Sequence, residues 1–240
     1  MGGEDLTGTV IAGFACTWRE IRAPASRGEG ANGGELAFGL WAPQDPDASL
    51  DAITQEEFER SDERMPYFCM IWPSAESLAA KVLAGPPLDG MHALDLGCGL
   101  GLSGLAAARR GAHITFFDWE PRALEIAAAS AGQQGRPPST FAFVAGDWRE
   151  PPPLGPFDLI LGADILYERR NGPAVAAFLA QHLRPGAEAW IADPGRAQAQ
   201  PFLAFAQAEG LDLIGSETLP PQSHGETITL LRLCRPRQQY

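Results

Sequence analysis

The sequence predicts an α/β fold: a doubly wound, mainly parallel seven-stranded sheet with an antiparallel C-terminal hairpin, preceded by an N-terminal β-rich extension. Three observations predict it. From about residue 70, short apolar runs alternate with helical patterns; the last two runs follow one another with no helix between them; and the first 65 residues lack this rhythm. The expected division is an extension over 1–65, holding a β-hairpin and an acidic helix, and a main domain over 66–240.

In the extension, "TVIAGFACTWREI" and "ELAFGLWAP" read as the two hairpin strands, parted by the glycine-rich "PASRGEGANGGE". "DAITQEEFERSDER" reads as a polar, acidic helix. "PSAESLAAKVLAG" opens the main domain as a helix, with Ser74 as N-cap and Gly85 just past its end. The strand "MHALDLG" and the helix "GLSGLAAARRG" follow, then the strand "AHITFFD" and the helix "EPRALEIAAASAG", with Pro121 in its first turn. "TFAFVAGD" is a strand that leads into a proline-rich loop. "FDLILGAD" and "AEAWIAD" are strands, each followed by a helix, "GPAVAAFLAQHL" and "QPFLAFAQAEG". Runs such as "FDLILGA" are continuously apolar because strands covered on both faces need no polar side. The closing pair, "LDLIGSET" and "ETITLLRL", must be antiparallel, since a parallel crossover needs about a dozen residues or more.

The formal net charge of -12 argues against an electrostatic grip on nucleic acid, which needs clustered Lys and Arg to replace counterions. It suits a small-molecule or protein substrate, a basic one best. The four cysteines are dispersed, with no CxxC and no Cys/His cluster at zinc spacing, so no metal is expected and the thiols read as reduced. The amino terminus lacks a signal-peptide pattern and no apolar run reaches the length of a membrane span. The expectation is a cytoplasmic protein with no membrane partner.

In a doubly wound sheet the site lies at the carboxyl ends of the strands, so the residues there carry the chemistry. The first main-domain strand ends in "LDLGCGLGLSG": Asp95, then Gly97, Cys98, Gly99 and Gly101. Glycines let the backbone turn tightly and approach a ligand. A dinucleotide fingerprint would need glycine at 102, where Leu102 stands. An acid beside GxGxG suits an ammonium-bearing ligand better than a pyrophosphate. The second strand ends in "FFDWEP", where Asp118 can accept from both hydroxyls of a ribose, or cap the next helix, and Trp119 can pack on an adenine. The third ends in "VAGDWRE", where Asp147 can accept from an adenine amino group and Trp148 can stack; a turn Asp and a core Trp is the alternative. Together the three ends describe a pocket for an adenosine carrying a charged amino acid, which is S-adenosylmethionine.

With these motifs the sequence resembles the class I (seven-strand, Rossmann-like) S-adenosylmethionine-dependent methyltransferases over about residues 65–235. Within that class it is similar to the protein lysine methyltransferases that include the electron transfer flavoprotein β-subunit lysine methyltransferase. Three stretches carry the similarity: "PYFCMIWPSAESLA", "DLILGADILYE" and "IADPGR". The resemblance implies a methionine-end site shaped by Asp95, Gly97, Gly99 and Gly101, a ribose contact at Asp118 and an adenine contact at Asp147. It implies Trp72 at the pocket edge, and Asp164 and Tyr167 facing the methyl group and the incoming amine.

The implied activity is methyl transfer to a lysine ε-amine of a protein, with S-adenosylhomocysteine as product. Asp164 would position the nitrogen by a charge-assisted hydrogen bond, and Tyr167 would shape its channel. Two other readings stay open, a metabolite acceptor and a non-catalytic S-adenosylmethionine-binding module. Glu168 reads equally as a solvated turn residue. Arg196 reads as gripping an acidic substrate, as gripping an inner carboxylate, or as an ordinary turn residue.

Overall fold

The computed structural model describes residues 7–24, 35–51, 65, 67–220 and 225–237. The N-terminal part forms a three-stranded antiparallel sheet of β1 (Thr7–Ile11), β2 (Phe14–Pro24) and β3 (Glu35–Pro43). The expected hairpin strand "TVIAGFACTWREI" is thus two strands. Ala12 and Gly13 both take positive φ, 52° and 86°, between the paired Ile11 and Phe14. That is the backbone of a tight two-residue hairpin turn. A short helix α1 (Pro46–Asp51) follows. The expected acidic helix at 51–64 lies, beyond Asp51, outside the described residues.

The main sheet has the predicted seven strands: β4 (His92–Leu96), β5 (His113–Asp118), β6 (Phe141–Ala145), β7 (Phe157–Ala163), β8 (Leu183–Asp193), β9 (Asp212–Leu219) and β10 (Ile228–Cys234). Their order is β6-β5-β4-β7-β8-β10-β9, and β10 runs antiparallel to both neighbours. Helix α2 (Pro73–Leu83) precedes them, and α3 (Leu102–Arg109), α4 (Pro121–Gly132), α5 (Asn171–His182) and α6 (Phe202–Ala208) lie between them in the chain.

Strand periodicity divides the core into two layers. On β7, Leu159 and Leu161 pack with Leu78, Leu105 and Ile126 of α2, α3 and α4, while Ile160 faces Phe178, Leu179 and Phe202 of α5 and α6. A run apolar at every position is therefore what this strand needs. The N-terminal sheet rests on the first helical layer. The Trp41 N–H donates to Ser130 Oγ at 2.8 Å, and Gln134 Nε2 donates to the Gly39 carbonyl at 2.7 Å.

Helix α2 corrects one sequence expectation. Its N-cap is Trp72, with Pro73 in the first turn, and Ser74 lies inside the helix. Trp72 has no capping side chain to offer. The carboxylate comes from a distant residue: the Ser74 N–H donates to Asp164 Oδ2 at 3.2 Å. An anion at a helix N-terminus is favoured by the helix dipole and by the unpaired N–H groups there.

Candidate active site

Strand order reverses between β4 and β7, with β5 and β6 to one side and β8, β10 and β9 to the other. A crevice opens at the carboxyl ends of two such strands because their following loops diverge. Here it is a cavity of about 360 Å³. Loops after β4, β5, β6, β7 and β8 supply its walls, and Met65 with the segment from Tyr67 to Ala75 covers one side. Five carboxylates line it, Asp95, Asp118, Glu120, Asp164 and Glu168, against one guanidinium, Arg196.

The loop after β4 is pinned to β5. The Gly97 and Cys98 N–H groups donate to the Phe117 carbonyl at 2.8 and 3.1 Å, and the Gly101 N–H donates to the Cys98 carbonyl at 2.7 Å. Gly97 has φ +64°, and a β-carbon there would stand 2.8 Å from Ile165 Cγ2 and 3.0 Å from Trp148 Cζ3. Glycine at 97 therefore answers to both conformation and space.

The acids beside this loop are buried and held by backbone donors. Asp95 Oδ2 accepts from the Gly104 N–H at 2.8 Å. Burial pushes its carboxyl up to about 8; the Gly104 bond opposes this, and the nearby Asp118 charge adds to it. Asp118 accepts from the Gly99 N–H at 2.8 Å and from the Glu120 N–H at 3.0 Å. Burial raises it to about 6 against those bonds, with Glu120 adding to the rise. The cavity therefore holds desolvated acids with too little positive charge, and an ammonium- and sulfonium-bearing ligand fits that donor set.

A pH dependence follows. Carboxyls raised above their unfolded values bind protons in the fold that the unfolded chain has lost, so the empty protein loses stability as pH rises from about 4 towards 8. Its contribution is complete below about 4 and gone above about 8. The ammonium of S-adenosylhomocysteine needs the acid beside it ionised, so its affinity should weaken as pH falls from 8.5 to 6, by up to about tenfold per unit for each proton taken up. Thermal melts and calorimetric titrations across that range test both slopes, and Asp95→Asn should flatten each.

Glu120 joins the site only in the structure. It lines the cavity and caps α4, accepting from the Arg122 N–H, while its carboxylate takes the Arg122 guanidinium at 2.9 and 2.8 Å. Arg122 lies over the rings of Phe14 and Phe68, 5.8 and 5.6 Å from their centroids. The N-terminal sheet thus reaches the cavity wall through Phe14. The signal was present in "FFDWEP", as a second acid two residues past Asp118.

Across the cavity, Asp164 follows β7 with φ 57°, a conformation that Asp tolerates better than most side chains. One carboxylate oxygen accepts from Ser74, and the other is ion-paired with Arg196 Nη1. Arg196 also sits 3.5 Å from Asp193 Oδ2 without a hydrogen bond, and its guanidinium lies 5.9 Å from the Trp72 ring centroid. Asp193 accepts from the Gly195 and Arg196 N–H groups at 2.7 and 2.9 Å; burial raises its carboxyl, and Asp164 adds to the rise. Glu168 is ion-paired with Arg170. Tyr67 packs edge-on to both Trp72 and Tyr167, with centroids 5.8 and 5.7 Å apart and interplanar angles of 83° and 79°.

Of the sequence-derived site residues, Trp72, Asp95, Gly97, Cys98, Gly99, Asp118, Trp119, Trp148, Asp164 and Tyr167 meet around this one cavity. Gly101 and Asp147 do not line it. Gly101 starts α3, where a β-carbon would stand 3.0 Å from Phe116 Cε1, so its service is packing. The Asp147 carboxylate is turned to Arg149, which it meets at 2.8 Å, outside the cavity lining. Arg196 resolves to the inner-carboxylate alternative and Glu168 to the site's rim.

A mainly parallel seven-stranded sheet with a glycine loop at its switch point and acids on the next strand end matches the arrangement that the motifs imply. Residues 93–186 match the family described as a methyltransferase domain. Among curated relatives, the chain is 36% identical over 129 residues to a protein N-lysine methyltransferase, METTL21A, of Danio rerio, covering 51% of this chain and 58% of the relative. It is 32% identical over 136 residues to the electron transfer flavoprotein β-subunit lysine methyltransferase of Xenopus laevis, covering 55% and 54%. The chain thus spans little more than half the length of these relatives. A ubiquinone biosynthesis O-methyltransferase of Xylella fastidiosa is 27% identical over 171 residues, covering 71% and 61%.

Among solved structures, the N-methyltransferase NodS of Bradyrhizobium japonicum in complex with S-adenosylhomocysteine superposes with a TM-score of 0.55 at 20% identity, covering 80% of this chain and 93% of that one. The [4+2]-cyclase SpnF superposes at 0.57 and 18% identity, covering 70% and 84%. These likenesses bear out the fold, and together with the family match and the lysine methyltransferase relatives they bear out the resemblance read from the motifs. That a cyclase shares the fold shows why activity has to be argued from the site. Among the described residues, no helix is long and apolar enough to cross a membrane.

Proposed function

We propose that this protein is an S-adenosylmethionine-dependent methyltransferase and that its acceptor is a lysine ε-amine of a protein. One observation carries the reading: a single cavity joins the glycine loop after β4 to the aromatic and acidic turn after β7. Asp95 and the loop at 97–99 would hold the amino-acid end of the cofactor, Asp118 the ribose, and Trp119 and Trp148 the adenine side. Trp72, Asp164 and Tyr167 would receive the acceptor.

S-adenosylmethionine supplies a methyl group made electrophilic by its sulfonium. The chain's own residues have to align the amine and exclude water. A lysine amine, with a reference pKa of about 10.4, must shed its proton before it attacks. The apolar walls of Phe68, Met70 and Ile165 favour the neutral amine. The acids oppose that, so the proton leaves to bulk water before the nitrogen reaches the methyl group.

Two lysine methyltransferases among the relatives support the protein acceptor. The O-methyltransferase relative, matched over a larger share of the chain, favours a second reading with a small-molecule acceptor. Incubating the purified protein with cell lysate and methyl-labelled S-adenosylmethionine separates them by mass spectrometry. Label in methyllysine of a protein supports the first reading. Label confined to a metabolite moves the assignment to the second, and no label in either overturns both.

A further inference from the structure

We propose that Arg196 is a counter-ion gate: in the empty site it neutralises Asp164, and when a cationic acceptor takes Asp164 its guanidinium passes to Asp193, so that a positively charged acceptor is admitted and a neutral one is refused. This rests on the proposed methyltransferase function, with Asp164 on the acceptor side, and adds the charge class of the acceptor. Asp164 and Arg196 both line the cavity, so an acceptor meets the pair directly. Arg196 Nη1 is ion-paired with Asp164 Oδ1 and stands 3.5 Å from Asp193 Oδ2. That second oxygen is buried without a hydrogen-bond partner, in a residue only 4% exposed. A carboxylate oxygen left unpaired away from water is costly, so it offers the guanidinium a place to go. Charge-assisted N–H···O contacts close at about 2.8 Å, so less than about 1 Å of travel turns the near approach into a bond.

The surroundings free the side chain and hold the main chain still. Asp193 Oδ1 accepts from the Gly195 and Arg196 N–H groups at 2.7 and 2.9 Å, which fixes the turn. One carboxylate thus anchors the Arg196 backbone with one oxygen and presents the other to its guanidinium. The guanidinium lies 5.9 Å from the Trp72 centroid, and a ring face supports it without tying it to one acceptor. Charge decides which ligand drives the exchange. Asp164 and Asp193 share Arg196, while Glu168 is paired with Arg170. The set is one cation short; burial, with the Asp164 charge adding to it, holds the Asp193 carboxyl above its ordinary value. An ammonium at Asp164 supplies the missing charge and releases Arg196 to complete Asp193. A neutral hydroxyl at Asp164 would break an ion pair and return only a weaker hydrogen bond.

The probe is n-butylammonium chloride, which has the stem and charge of a lysine side chain, and n-butanol is its neutral counterpart. In the full chain with nitrogen-15-labelled arginine, the Arg196 Nε–H resonance is identified by its loss in Arg196→Gln. n-Butylammonium should shift it saturably; n-butanol, and sodium chloride at matched ionic strength, should leave it in place. Asp193→Asn keeps an oxygen for the two backbone donors but removes the charge that receives Arg196. At least about fivefold more n-butylammonium should then be needed for the same shift. In Arg196→Gln, saturation-transfer proton NMR should show n-butylammonium bound at least about threefold more tightly, because the competing guanidinium is gone. A fixed structural pair predicts the opposite, an unmoved Arg196 and weaker binding in Arg196→Gln. An unmoved Arg196 signal, an equal shift with n-butanol, an unchanged Asp193→Asn or no gain in Arg196→Gln overturns the proposal. S-adenosylhomocysteine titrated into the unmodified chain reports separately on the cofactor site, so failure of the gate is not mistaken for failure of the methyltransferase reading.

Discussion

Asp164→Asn is expected to lower methyl transfer by about 10²-fold while leaving S-adenosylhomocysteine affinity within about threefold. Asn tolerates the left-handed backbone at φ 57°, and its amide oxygen can still accept from the Ser74 N–H. What it removes is the charge that holds Arg196 over Trp72. The acceptor wall would then lose its geometry without a change in the glycine loop. Asp164→Ala is the harsher change. It forfeits the cap on α2, leaves Arg196 with only the looser Asp193 contact, and puts a β-carbon without a polar group in a strained conformation. A cost of about 2–4 kcal/mol in stability is expected, read by denaturant melts. Retained turnover with lost cofactor affinity would move Asp164 to the cofactor side.

Gly97→Ala should act on the other half of the site. The added methyl would lie 2.8 Å from Ile165 Cγ2 and 3.0 Å from Trp148 Cζ3, closer than relaxed carbon contacts allow, and φ +64° adds strain. Both neighbours line the cavity, so relieving the clash deforms it. Cofactor affinity is expected to fall at least tenfold, with a loss of about 1–3 kcal/mol in stability. Gly99→Ala is the comparison. Its β-carbon would meet nothing closer than 3.7 Å, so only backbone strain at φ +49° remains and the loss should be smaller. Equal effects at the two positions would show that conformation alone matters in this loop.

The contrast between what was legible and what was not follows from range. The strands β4 to β8 could be read because each is a short apolar run set between turn residues, and their ends could be read because the acid and glycines stand in sequence order. The hairpin turn at Ala12 and Gly13 was missed because Ala rarely signals a positive φ. Residue type alone points to Ser74 as the N-cap, yet the capping carboxylate comes from Asp164, 90 positions away. The Arg196–Asp164 pair spans 32 positions and joins two strand ends that only the sheet brings together. Tyr67 stands five residues before Trp72 in the same stretch, but its ring meets Tyr167 only in the folded chain, from a short 3-10 turn at Tyr67–Cys69.

The central claim is that the cavity at the β4/β7 switch point is an S-adenosyl cofactor site. The direct measurement is calorimetric titration of the full chain at pH 8.5, with S-adenosylhomocysteine and, separately, NAD. One site for S-adenosylhomocysteine and no heat from NAD is the predicted result. Binding of NAD alone, or of neither ligand, would contradict it.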